Sequence, residues 1–298
     1  MQELKYKEHV MKALLAGFGG IGANVYYPEL KKLGYEVYIL DALAQNVNFR
    51  DVMAINDSFD LAVVCTPNFT HSKIAERLAY TGTKRIFIEK PGVEHSLTWR
   101  NLVETYPNTK FHMVKNNMYR DNYGDIFHMI NTKELIGVDI NWLNDNRIPN
   151  PGSWFTTKAT AFGGISRDLM PHLYCFAIKL FGLQALSDAK IEQACYQRWD
   201  LASISSTDYG QVYPHGTYNV DDNALVATKI GNVTLRMNAS WKEGYNKQSI
   251  TLFFKDGTTY EWEFGLCPAE AYGKMLQDTT DTYAMDMQIH KFLEKFDD

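Results

Sequence analysis

The sequence predicts an α/β chain in two parts. The first is an N-terminal domain on a doubly wound parallel sheet, and the second is an α+β domain with a mainly antiparallel, open sheet. Three observations carry this expectation. Over the first third, short and almost wholly apolar runs alternate with helical stretches, as buried parallel strands do with their crossover helices. A glycine-rich turn stands between the first such run and the first helix. From about residue 116 the style changes to apolar–polar alternation around tight turns, which marks antiparallel hairpins. We place the two domains at residues 1–115 and 116–298.

Length and composition agree with this division. The 298 residues exceed one small domain, and 45% apolar with 22% charged residues is an ordinary globular balance. Thirty basic against 35 acidic residues give a formal charge of −5. A mildly acidic chain without a basic run offers no footprint for nucleic acid or an anionic membrane. Residues Met1 to Val10 are polar, with two lysines and no apolar core, unlike a secretory signal. No segment approaches the roughly 20 apolar residues that span a bilayer. Cys65, Cys175, Cys195 and Cys267 stand far apart without a C-x-x-C pair and read as reduced thiols of a cytoplasmic protein. No His/Cys cluster suggests a metal.

Taken in order, Val10 to Ala16 is an apolar run ending at Gly17, and a helix follows over roughly Gly20 to Leu33, closed by Gly34. Tyr35 to Leu40, Leu61 to Cys65, Arg85 to Ile88 and Lys110 to Val114 read as the next strands, with a helix over His71 to Tyr80. Ligands of such a sheet bind at the carboxyl ends of its strands. In the second part, Leu173 to Phe181 ends a helix at Gly182. Ala224 to Ile230 and Val233 to Trp241 flank Gly231-Asn232, and Ser249 to Lys255 and Thr258 to Phe264 flank Asp256-Gly257. Asp286 to Phe296 is a final amphipathic helix.

Gly17-Phe18-Gly19-Gly20-Ile21-Gly22 fits G-x-G-x-x-G with a strand before it and a helix after it, the dinucleotide-binding setting of a Rossmann domain. Gly17 permits the turn, Gly19 lets backbone approach a pyrophosphate, and Gly22 lets helix and strand pack closely. The pyrophosphate would lie on free N–H groups at the helix N-terminus. Asp41 ends the second strand about 20 residues on, where a carboxylate accepts ribose hydroxyls and repels a 2′-phosphate. Ala42, Leu43 and Ala44 follow it, with no arginine at hand, so NAD is expected over NADP. A helix cap or plain turn is the other reading of Asp41.

Three further segments carry a resemblance: Thr66-Pro67-Asn68-Phe69-Thr70-His71, Glu89-Lys90-Pro91, and Gly163-Gly164-Ile165-Ser166-Arg167-Asp168-Leu169-Met170-Pro171-His172. With the glycine loop, their order and spacing over residues 17–172 resemble the Gfo/Idh/MocA oxidoreductases, the glucose–fructose oxidoreductase and inositol dehydrogenase group. The resemblance implies cofactor contacts from Thr66, Pro67, Asn68, His71, Glu89 and Lys90. It also implies a cis bond before Pro91, catalysis by Lys90, Asp168 and His172, and a second domain whose sheet builds the substrate pocket and joins subunits as a homodimer or homotetramer.

Residue chemistry allows these roles and plainer ones. Thr66-Pro67-Asn68 is also a simple turn, and His71 also a helix cap. Lys90 can stabilise an alkoxide as hydride leaves, and burial would lower its pKa toward proton shuttling; alone, it is a surface lysine. Glu89 would hold Lys90 or the cofactor ribose. Asp168 and His172, at i and i+4, share a helix face, so the carboxylate can orient and charge the imidazole. The plainer alternative is an N-capping Asp168 and a satisfied His172.

For the substrate, Asn116, Tyr119, Arg147, Trp154 and Arg167, with Asn117 and Arg120, stand in loop positions and suit a hydroxylated ring. Each taken alone is an ordinary surface or core residue. The resemblance would place a basic pair near Asn116-Asn117 in many members, and its absence here speaks against a phosphorylated or carboxylated substrate. The expected activity is NAD-dependent oxidation of a sugar, cyclitol or related polyol, without metal. The alternatives are a redox-assisted lyase or hydrolase with retained NAD, a non-catalytic NAD or sugar sensor, and an imine or amino-acid substrate.

Overall fold

A computed structural model of the chain describes residues 10–297. The reading of the first ten residues therefore lies, except for Val10, outside the described residues.

The N-terminal part alternates as expected. Strand β1 (Lys12–Ala16) leads through the glycine loop to a helical segment ending in α1 (Tyr27–Lys32). Then come β2 (Glu36–Leu40), β3 (Leu61–Val64), α2 (His71–Tyr80), β4 (Arg85–Ile88), α3 (Ser96–Thr105) and β5 (Lys110–Met113). All neighbours are parallel in the order β2-β1-β3-β4-β5. The order reverses direction between β1 and β3, which opens a crevice at their carboxyl ends.

One expectation is corrected inside the first helix. The stretch over residues 20–33 is not a regular α-helix, because Gly22–Tyr26 forms a π turn before α1. Pro28 explains it: proline has no N–H for the i−4 carbonyl and its ring crowds that carbonyl, so the helix widens just before it.

The second part contains α4 (Ile126–Thr132), β6 (Leu135–Leu143), α5 (Lys158–Ala161), α6 (Ile165–Asp168), α7 (Met170–Phe181) and α8 (Leu183–Ser187). It continues through β7 (Glu192–Tyr196), β8 (Asn223–Ile230), β9 (Val233–Ser240), β10 (Lys247–Phe254) and β11 (Thr259–Glu263). Both expected hairpins form, β8–β9 and β10–β11. The six strands run β11-β10-β6-β9-β8-β7, and β6–β9 is a parallel pairing in an otherwise antiparallel sheet. One face buries Val138, Ile140, Leu235, Met237, Ile250 and Leu252 in a core shared with Leu173 and Phe176 of α7. The other face is polar: Arg236 pairs with Asp139, and Asn238 donates to Asn141.

The chain ends in α9 (Ala269–Gln277) and α10 (Tyr283–Glu294), and both return to the first sheet. Alternate residues of β1 split between its two faces. Ala13 and Leu15 share a core with Tyr26, Leu30 and with Tyr272, Met275 and Leu276 of α9. Leu14 and Ala16 share one with Ile74, Trp99 and with Ile289 and Phe292 of α10. The apolar stripes of α9 and α10 are thus covered by a domain far away in sequence. A buried ion pair, Lys115 to Asp286, fastens α10 to the end of β5.

Candidate cofactor and active site

The glycine loop has the geometry its spacing predicts. Gly17 lies at φ +97°, and a Cβ there would sit 2.6 Å from the Cys65 carbonyl oxygen. A Cβ on Gly22 would sit 2.1 Å from the Gly17 oxygen, so helix and strand touch through bare backbone. Gly19 and Gly20 face open space instead. No side chain caps the helical turn that follows, which leaves its N–H groups for an anion. The loop therefore fits a dinucleotide pyrophosphate.

Asp41 holds a turn, the plainer of the two roles its position allows. Its Oδ1 accepts from the Leu43 and Ala44 amides at 2.8 Å each, forming a turn, and Oδ2 accepts from Phe18 of the glycine loop at 2.7 Å. Partial burial disfavours the charge, but these three donors outweigh it and hold the carboxyl below its usual range. One lone pair of Oδ2 remains for a ribose hydroxyl. The expectation that no arginine stands near is corrected. Residues 41–49 fold back so that Phe49 bridges Leu40, and Arg50 then donates to the Ala42 carbonyl at 3.2 Å.

Thr66, Pro67 and Asn68 leave β3 at the same edge, half-buried. Thr66 and Thr70 share a 2.6 Å hydroxyl contact, and Asn68 donates to the Ala161 carbonyl at 2.9 Å, tying the edge to the second domain. His71 is neither a helix cap nor open to a ligand. It is wholly buried, with Nδ1 2.7 Å from the Gly92 oxygen and Nε2 2.8 Å from the Thr66 oxygen. Burial lowers its pKa, while the Gly92 and Thr66 carbonyls act in the opposite direction, and the ring lies between two loops.

Lys90 and Asp168 form the centre. The Lys90–Pro91 bond is cis. The Lys90 ammonium pairs with Asp168 Oδ1, and Trp241 Nε1 donates to Asp168 Oδ2 at 2.8 Å. Glu89 accepts from the Tyr26 hydroxyl and from the Lys90 amide, so it holds the lysine's backbone, as one of its two expected roles has it. Burial disfavours the Lys90 charge, but Asp168 and then Glu89 reverse this, and its pKa is raised. The expected downward shift is corrected, because the lysine is not buried alone.

The expected Asp168–His172 partnership is corrected too. Both carboxylate oxygens are engaged by Lys90 and Trp241, since a cation outcompetes a neutral ring. His172 instead tilts over Trp142, ring centres 5.4 Å apart. Burial, and next the Lys90 charge, push it down to about 3 despite Asp168. The imidazole is neutral near pH 7.

Lys90, Asp168 and His172 open on one pocket of about 210 Å³. Arg147 also lines it. The other expected substrate residues do not. Asn116 is buried beside Cys267 and Tyr272, with its Oδ1 unpartnered. Asn117 accepts from Arg120 at 2.7 Å, while Arg120 holds the Phe264 and Gly265 carbonyls, which staples this turn to the end of β11. Tyr119 donates to Asp278 at 2.7 Å. Trp154 packs on Phe155 and Phe69. Arg167, 2% exposed, pairs with Asp297 at 2.6 Å and otherwise backs a one-water cavity of about 10 Å³ behind Lys90. Tyr119 and Arg167 turn away from the pocket toward carboxylates that follow α9 and α10. Sequence reading missed Trp142, Asn144, Tyr209, Trp241, Gln248 and Tyr272, which complete the pocket wall. Trp142 and Asn144 belong to β6 and its exit, whose weak alternation gave little signal.

Residues 36–114 match the family model described as "Oxidoreductase family, NAD-binding Rossmann fold" (Gfo/Idh/MocA). Over these residues the chain is similar to the Gfo/Idh/MocA oxidoreductases, a family described by its binding of NAD. The geometry of this family's loop and of Asp41 above agrees with that cofactor. A protein of Amycolatopsis mediterranei (strain S699), named as a candidate UDP-kanosamine synthase oxidoreductase subunit, is 31% identical over 116 residues. That stretch is 38% of this chain and 32% of the relative, so the match spans about a third of the relative's length. Solved structures extend the likeness over both domains. GenD2 from gentamicin A biosynthesis, in complex with NAD, superposes with TM-score 0.73 at 16% identity, covering 96% of this chain and 93% of that one. The WlbA dehydrogenase from Bordetella pertussis, with NADH and UDP-GlcNAcA, gives 0.69 at 15% over 96% and 94%. Levoglucosan dehydrogenase with NADH gives 0.68 at 16%, over 95% of each chain. At these identities the structures share the two-domain fold. Among the described residues no helix is long and apolar enough to cross a membrane, and no group of three or more His, Cys, Asp or Glu could hold a metal ion.

Proposed function

We propose that the chain is an NAD-dependent dehydrogenase that oxidises a secondary alcohol of a sugar, cyclitol or related polyol. The observation that carries this reading is the Lys90–Asp168 pair facing His172 across one pocket, at the carboxyl edge of the NAD-binding sheet. Bound NAD supplies a hydride acceptor. Similar dehydrogenases bound to levoglucosan or to UDP-GlcNAcA support a sugar as the substrate class.

The chain's own residues divide the remaining work. Lys90 stays protonated and donates to the substrate oxygen, stabilising charge that grows there as hydride leaves. Asp168 holds that ammonium in place and in charge. His172, neutral and beside the same pocket, accepts the hydroxyl proton, which becomes strongly acidic as the oxygen gains carbonyl character. Trp142, Trp241 and Tyr272 offer flat faces to ring C–H groups, and Asn144 and Gln248 offer amides to hydroxyls. The polar outer face of the second sheet is, in this reading, where copies join as a homodimer or homotetramer. The four free thiols suit a reducing cytoplasm.

The test is absorbance at the reduced-nicotinamide band with purified protein, NAD and a panel of sugars, cyclitols and sugar acids. A substrate-dependent rise, reduced by orders of magnitude in Lys90→Ala and in His172→Ala, is expected. Full activity in both variants would remove these residues from the mechanism.

A further inference from the structure

Arg147 stands where two spaces meet. It lines the inner pocket with Lys90 and His172, and it also lines a wider groove of about 530 Å³ that runs along β10 and β11. Gln248 and Leu266 belong to both walls, so the pocket opens into the groove at this point. The backbone of Arg147 is fixed: its amide donates to the Trp241 carbonyl at 2.8 Å, and Ile148 and Pro149 are buried beside it. Its guanidinium has no carboxylate partner among the described residues. The neighbouring charges are otherwise engaged, Lys90 with Asp168 and Lys247 with Glu261. Glu263 lies on the groove's opposite strand and makes no ion pair with Arg147. A half-buried guanidinium with five donors and no protein acceptor is matched by a planar or tetrahedral anion.

We propose that Arg147 binds an anionic group, a carboxylate or a phosphate ester, carried by the sugar whose alcohol faces Lys90, with the remainder of the substrate lying in the outer groove. This rests on the dehydrogenase reading of the inner pocket and narrows its substrate class from neutral polyols to acidic sugars. The sequence argument against such substrates looked for a basic pair at Asn116-Asn117. Both residues are buried away from the pocket, so their neutrality carries no information about the substrate. The cation is supplied by position 147 instead.

Calorimetric titration of the full-length protein with NAD, using glucose, glucuronate and glucose 6-phosphate, tests this and separates carboxylate from phosphate. We expect at least one acid to bind roughly 10- to 100-fold more tightly than glucose, the range for a hydrogen bond to a charged group. Arg147→Gln erases that preference, Arg147→Lys keeps part of it, and the surface control Lys255→Gln keeps all of it; thermal melting confirms that each is folded. Equal binding of acids and glucose, or a preference that survives Arg147→Gln, overturns the proposal. Hydride transfer is scored separately on the same samples. Turnover without preference for acids rejects the anion site and keeps the dehydrogenase. Binding that depends on Arg147 without hydride transfer to NAD does the reverse.

Discussion

Lys90 and Asp168 come from different domains and lie 78 positions apart, yet they form one ion pair, with Trp241 holding the far oxygen of the carboxylate. The pair joins the edge of the first sheet to the pocket wall, so packing the two parts of the chain together also keeps Lys90 charged. In the proposed mechanism Asp168 thus acts through Lys90 and not through His172.

Asp168→Asn is expected to lower kcat by about 10- to 1000-fold, within the range for an electrostatic or acid–base group. The stronger signature is in pH. Asp168 raises the Lys90 pKa, and the protonated lysine is the working form, so activity falls as pH rises through that pKa. Removing the carboxylate charge lowers the pKa and moves this alkaline loss to lower pH. A pH profile of kcat/KM in which the alkaline limb stays in place would reject the arrangement.

At the adenosine end, Asp41→Asn keeps an acceptor for the turn but removes the charge that repels a 2′-phosphate. The KM for NAD should rise about 10-fold, and discrimination against NADP should shrink, because Arg50 then stands beside the site unopposed. Adding Arg50→Ala should cancel the gain for NADP. Paired KM measurements with both nucleotides check this.

Acid should destabilise the fold earlier than its carboxylates alone would dictate. Burial lowers the pKa of His71, pushes His112 and His290 down to about 4, and pushes His172 down to about 3. In the unfolded chain a histidine protonates near 6.5. Between these values the unfolded state binds more protons, so stability held above about pH 6.5 is lost progressively as pH falls toward 3. Urea midpoints measured at intervals from pH 7.5 to 4.5 should fall steadily. A midpoint unchanged to pH 5 would count against neutral buried rings.

Lys115→Ala should cost about 3–5 kcal/mol, because it leaves the wholly buried Asp286 without its cation. The loss should appear in the urea midpoint. The pair links β5 to α10 away from the pocket, so the KM for NAD in the surviving folded enzyme should change little.

The parts of the site legible in the sequence were those set by local backbone rules. Gly17 and Gly22 are required by a turn and a close approach inside one strand–loop–helix unit, and strands β1 to β5 announce themselves as continuous apolar runs. The Gly-Gly…Asp168…His172 spacing was legible for the same reason. The π turn before Pro28 was legible in principle, through the missing N–H. Residues such as Asn116, Tyr119 and Arg167 have the right chemistry for a substrate, but their direction depends on what packs above them, and α9, α10 and Asp297 arrive there from the far end of the chain.

The succession of strands and helices in the first part and the glycine loop were legible from sequence alone, and so was the candidate set Lys90, Asp168 and His172, because each rests on short motifs of residues near one another in the chain. Which of the three pairs with which was decided by tertiary structure. A carboxylate offered both an ammonium and an imidazole takes the cation, and burial then keeps the imidazole neutral. Tertiary structure also singled out Arg147 among the candidate arginines as the one that lines the pocket, since only folding shows which guanidinium faces open space.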